Sequence, residues 1–89
     1  MTKSIFKNLL VYLKQLLIDN KYLDLTQLIM EYITWLCYSI INFNKDYNKY
    51  LDVLNQCLLF LFRKQYDQLY DYIEEMIIYI DLSMDEEEY

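Results

Sequence analysis

Asp67, Asp71 and Glu74 stand at i, i+4 and i+7, a spacing that sets three carboxylates on one face of a helix. Three such oxygens are the beginnings of a Mg²⁺ or Ca²⁺ site, but hard cations usually draw their ligands from more than one element, so the face reads first as a solvated one. Glu75 extends the acid, and Tyr66, Tyr70, Tyr72 and Tyr79 are interleaved with it. Like charges one turn apart cost a few tenths of a kcal/mol each, and no lysine in this stretch offsets them. Rigid rings beside carboxylates suit the capture of a Lys- or Arg-rich surface. Tyrosine supplies contact area at low entropic cost, and acid steers the encounter.

The charge of the whole chain follows the same division. Residues 1–64 hold eight basic and five acidic side chains, whereas residues 65–89 hold nine acidic and none that is basic, giving the net −6. The run Asp85, Glu86, Glu87, Glu88 before Tyr89 is read as an acidic tail on a single domain spanning 1–84. Such runs are often solvated faces that confer solubility. Part of the acid is expected to meet Lys7, Lys14 or Lys21 on neighbouring helices, a screened and small contribution.

Catalysis finds little support. The chain has no His and no Gly. Without imidazole a Ser or Cys nucleophile lacks its usual base, and without glycine no phosphate-cradling loop forms. No enzyme, cofactor or resident metal is therefore expected. Cys37 and Cys57 are too few for a disulfide framework, and both fall at apolar positions of helical patterns, where buried free thiols in a reducing, cytoplasmic setting are the simplest reading. The absence of Gly and Pro beside abundant Tyr, Ile and Asn matches an AT-rich genome, such as those of many viruses and mobile elements. Without glycine, helix ends must be closed by Asn, Asp or Lys.

Stepping along the chain, apolar residues recur at helical spacing almost throughout. The pattern predicts an all-α fold, a small antiparallel bundle of about four helices near 4–19, 24–42, 46–63 and 66–82. The first carries Ile5, Leu9, Leu10, Leu13, Leu16 and Leu17 behind Ser4 or Thr2 as a cap. The second opens where Asp24 and Gln27 stand at capping-box spacing, and Asn42–Asp46 interrupts the pattern. Residues 46–82 also fit one long helix, and a break near Lys64–Tyr66 is preferred because four helices close into a compact unit. Leu25–Phe43 is about long enough to cross a membrane, but it contains Glu31 and several polar residues, so a bundle helix explains it better.

A weak echo at 41 residues (Leu10, Leu13, Gln15 and Leu17 beside Leu51, Leu54, Gln56 and Leu58) fits two similar helical hairpins. The pair 54–81, with Tyr-Asp after a short turn, resembles a tetratricopeptide hairpin in outline. That family needs small residues where its helices cross, and the chain has no Ala or Gly, so the likeness assigns no family.

These readings converge on a small non-catalytic protein-binding protein, viral or from a mobile element. It would use Asp67, Tyr70, Asp71, Glu74, Glu75 and the 85–88 run to hold a basic, nucleic-acid-handling host protein as a nucleic-acid mimic. Neither direct nucleic-acid binding nor membrane insertion is expected, and a homodimer is. The alternative is a structural subunit that assembles with itself, the basic front of one copy against the acidic end of the next.

Overall fold

The computed structural model describes residues 3–38 and 47–83. They form four helices, α1 (Lys3–Ile18), α2 (Tyr22–Tyr38), α3 (Tyr47–Phe62) and α4 (Tyr66–Ser83), with no strand among the described residues. The bundle is all-α, and the stretch 47–83 is two helices. The Asn42–Asp46 interruption, the Thr2 cap and the 85–88 run lie outside the described residues.

Both described connections solve the missing-glycine problem in the same way. Asn20 and Lys64 take the left-handed conformation, with φ of 61° and 57°. After α1 the Lys21 amide donates to the Leu16 carbonyl and the Asn20 amide to that of Leu17; after α3 the Gln65 amide donates to Phe60 and the Lys64 amide to Leu61. This is the Schellman pattern, which satisfies carbonyls orphaned at a helix end and is usually closed by glycine. For an L-residue with a Cβ the left-handed region costs roughly 1–2 kcal/mol, less for Asn. The Asn20 Oδ1 accepts a hydrogen bond from the Tyr22 hydroxyl at 2.8 Å, which fixes its side chain over the turn.

Each turn then starts the next helix at once. The Leu25 amide donates to the Lys21 carbonyl and the Leu69 amide to that of Gln65. Lys21 and Gln65 are thus the cap residues. Asp24 is not the cap the sequence pattern predicted; it lies in the first turn of α2, where its carboxylate faces the positive end of the helix dipole. Ser4 likewise lies inside α1 rather than before it.

The core is a single cluster drawn from all four helices, centred on Leu10, Leu13, Leu25, Ile29, Leu54, Leu69 and Ile73. Burying a side chain of this size contributes roughly 1.5–3 kcal/mol. Two expectations about the core are corrected. Leu9, Leu10, Leu13, Leu16 and Leu17 are buried as expected, but Ile5, at the edge of that stripe, is 51% exposed and the adjacent Phe6 is fully buried in its place. Cys37 is exposed, on the outer side of α2, while Cys57 is buried as expected. Both are free thiols.

The structure also resets the internal repeat. α3 begins and ends 44 residues after α1, and α4 begins 44 residues after α2. At this offset Leu10 and Leu54, Leu17 and Leu61, Tyr22 and Tyr66, Leu25 and Leu69, Ile29 and Ile73, Glu31 and Glu75, and Ile33 and Ile77 are identical. Phe6 stacks on its counterpart Tyr50 with centroids 4.2 Å apart, and Tyr22 on its counterpart Tyr66 at 4.1 Å with planes inclined by 4°. A residue meets its own counterpart only on the axis relating two similar halves. The two stacks mark that axis, one tying α1 to α3 and the other tying α2 to α4. The molecule is therefore built from two related hairpins, α1–α2 and α3–α4, in the register of 44 rather than 41.

Candidate functional site

The residues singled out on α4 fall into two groups. Tyr70 and Glu74 face α1. The Lys14 ammonium lies 3.5 Å from Glu74 Oε2 and 5.8 Å from the centre of the Tyr70 ring. Seven residues along each helix in the opposite sense, Lys7 pairs with Asp81 at 2.7 Å. The basic front of the chain thus runs antiparallel to its acidic end, and part of the charge asymmetry is matched within one molecule. Both pairs are partly open to solvent, so each contributes no more than about 1 kcal/mol.

Asp67, Asp71 and Glu75 form the second group. They lie one turn apart, are all exposed, and have no ion-pair partner among the described residues. Ile78 and Leu82 continue the same line along the helix and are 57% and 75% exposed. The outer face of α4 is therefore acidic at its start and apolar at its end. Among the described residues no group of three His, Cys, Asp or Glu is placed to hold a metal ion, since Asp67 and Asp71 face outward while Glu74 turns toward Lys14. Asp85, Glu86, Glu87 and Glu88 lie outside the described residues.

A surface that the sequence patterns did not mark lies on the other hairpin. Between α1 and α2 runs an open groove of about 530 Å³ lined by Ile5, Leu28, Glu31, Tyr32 and Trp35. A smaller cavity of about 290 Å³ extends it toward Asn8 and Tyr12. Trp35, the chain's single tryptophan, is 47% exposed and meets the edge of Tyr32, with centroids 6.5 Å apart. One signal was present in the sequence: Trp35 is out of register with the stripe Leu25, Ile29, Ile33, Leu36, and an aromatic of that size off the core stripe must lie at the surface.

The corresponding place on the second hairpin is lined differently. There Lys49 stands in the position of Ile5, Tyr79 in that of Trp35, and Glu75 in that of Glu31. The Lys49 ammonium donates to the Tyr79 hydroxyl at 2.9 Å and lies 5.1 Å from the ring centre.

Two groups inside the second hairpin have altered acidity. Burial pushes the Cys57 thiol up to about 12, which keeps it protonated and unreactive near neutral pH. Tyr72 is also raised to about 12, by burial first and then by the charges of Cys57 and Asp52. Neither offers a nucleophile or base for neutral-pH chemistry. No helix among the described residues is long and apolar enough to cross a membrane, and α2 is the helix for which that question arose. Comparison of the chain with protein-family models, curated proteins and solved structures finds no match.

Proposed function

We propose that the chain is a non-catalytic protein-binding module that holds a basic partner against the outer face of α4. One observation carries this reading: Asp67, Asp71 and Glu75 form an exposed acidic line without partners among the described residues, while Glu74 and Asp81 are matched by Lys14 and Lys7. Exposed acid in excess of what the fold neutralises is a field directed at something else. The apolar end of the line, Ile78 and Leu82, adds area that a partner would desolvate. Nucleic-acid-binding proteins present basic surfaces of the matching kind, which makes a mimic of nucleic acid the concrete form of the proposal. In a viral or mobile-element setting the partner would be a host nucleic-acid-handling protein.

The self-assembly alternative is less favoured, because the basic front already meets the acidic end inside one chain. The roles first assigned to Glu74 and Tyr70 shift accordingly from partner contact to support of α1.

The test is binding of an Arg-rich peptide taken from a nucleic-acid-binding surface, measured by calorimetry with and without duplex DNA as competitor. The pair Asp71→Lys and Glu75→Lys should reduce affinity at least tenfold and leave helical ellipticity unchanged. Binding that ignores this pair of substitutions would sink the proposal; failure of DNA to compete would remove the mimicry and leave a simple acidic docking face.

A further inference from the structure

The contacts that close this chain run between its two halves. α1 packs on α4 and α2 on α3, so each hairpin covers the buried face of the other. Phe6 on Tyr50 and Tyr22 on Tyr66 mark the axis between them. The apolar part of these faces does not say which hairpin belongs opposite which. Leu10, Leu17, Leu25 and Ile29 recur as Leu54, Leu61, Leu69 and Ile73, all in the core. A two-fold pairing of like with like would bring the same residues together. The charges do discriminate. With α1–α2 facing α3–α4, Lys7 meets Asp81 and Lys14 meets Glu74. Under the repeat, two α1–α2 hairpins would set Lys14 against Met30 and Lys7 against Cys37 of the second copy. Two α3–α4 hairpins would set Glu74 against Leu58 and Asp81 against Leu51. Every charge of the seam is then partly desolvated without a counter-charge.

We infer that the buried face of each hairpin is also a docking surface for a second copy of the chain. Lys7, Lys14, Glu74 and Asp81 restrict that copy to one arrangement, exchange, with α1–α2 of each copy on α3–α4 of the other. The exchanged dimer repeats every contact between the halves, ion pairs included, whereas like pairing keeps the apolar core and loses the ion pairs. Only residues 39–46 join the hairpins along the chain, so exchange leaves the left-handed turns at Asn20 and Lys64 as they are. Closure within one chain makes the same contacts without immobilising a second molecule. The dilute wild type is therefore a monomer, and the dimer grows with concentration. Asp67, Asp71 and Glu75 stay on the outer face of α4 in both forms, so this inference stands apart from the basic partner proposed above.

Two full-length variants test this. The first carries Lys7→Glu and Lys14→Glu, the second Glu74→Lys and Asp81→Lys. Alone, each sets like charges along its own α1–α4 seam. Mixed, the altered α1 of the first matches the altered α4 of the second, and the two native helices match each other. The variants are refolded from urea at low salt, separately and together, and weighed by native mass spectrometry, in which the mixed dimer has its own mass. Each variant alone should stay monomeric with a lowered urea midpoint. The mixture should give the mixed dimer in at least about tenfold excess over either homodimer, and high salt should reduce that excess. If repulsion unfolds a variant on its own, mixing should restore its helical ellipticity. A mixture that stays monomeric up to millimolar chain, or stays unfolded, overturns the inference. So do homodimers as abundant as the mixed dimer, because the charges would then select no arrangement.

Discussion

The seam between α1 and α4 and the seam between α2 and α3 are counterparts under the repeat of 44 residues, yet they are held together differently. On the first, Lys7 meets Asp81 and Lys14 meets Glu74. On the second, the residues in those places are Leu51 and Cys37, and Leu58 and Met30. The shared core beneath keeps identical residues at its centre: Leu10 and Leu54, Leu25 and Leu69, and Ile29 and Ile73 are all fully buried. The difference shows that the core sets the architecture while the rims are free to diverge. Charge on one rim and uncharged side chains on the other satisfy the same geometry, because neither contributes much beside the core. What divergence changed is what the surface offers: an acidic line on α4 and an open aromatic groove on α1–α2.

The comparison breaks first if the two hairpins do not share the core evenly. Ile29→Ala and Ile73→Ala should each destabilise by about 2–5 kcal/mol, with urea midpoints shifted by similar amounts. A large cost at one position and a small one at the other would show that one hairpin carries the fold.

Alkaline stability should separate the hairpins next. A thiol raised from 9 to about 12 stays neutral in the folded chain while the unfolded chain ionises. The stabilisation is therefore complete below pH 9 and is lost as pH rises from 9 toward 12. Tyr72 acts with the same sign between 10 and about 12. Cys57→Val should flatten the fall in stability above pH 9, measured as urea midpoint against pH. Leu13, in the equivalent position of the first hairpin, has no proton to lose. At pH 8 iodoacetamide should add once to the folded chain, at the exposed Cys37, as intact mass would show.

A smaller effect distinguishes the two turns. Lys64→Gly should stabilise by up to about 1 kcal/mol, because glycine tolerates the left-handed region that lysine does not. Asn20→Gly should gain less or lose slightly, since Asn accepts that region and its side chain is held by Tyr22. Thermal midpoints of the two variants would rank them.

The smallest change concerns the seams themselves. Lys14→Leu with Glu74→Met gives the α1–α4 seam the residues of its counterpart. Stability should move by no more than about 1 kcal/mol in either direction, and the salt dependence of the urea midpoint should decrease. A loss of several kcal/mol would mean that the ion pair fixes the helix register.

The sequence by itself determined the number of helices, their approximate bounds, the break near Lys64 and the use of Asn and Lys where glycine is absent. Those follow from local chemistry: a 3.6-residue apolar period, the conformational limits of each residue and the need to cap helix ends. The register of the repeat was not legible. Apolar stripes recur at three and four residues, so an echo at 41 and the true offset of 44 both align Leu with Leu, and only the two left-handed turns and the paired aromatic stacks separate them. For the same reason Ile5 and Phe6, one position and about 100° apart on the helix, could not be ranked until α1 was docked. The acidic excess of the last helix was plain in the composition. Which carboxylates are taken up by α1 and which remain outside depended on the antiparallel docking of α1 and α4, a non-local contact. The open groove arose in the same way: it exists because Ile5 and Trp35 stand across from each other on two packed helices, thirty residues apart in the chain.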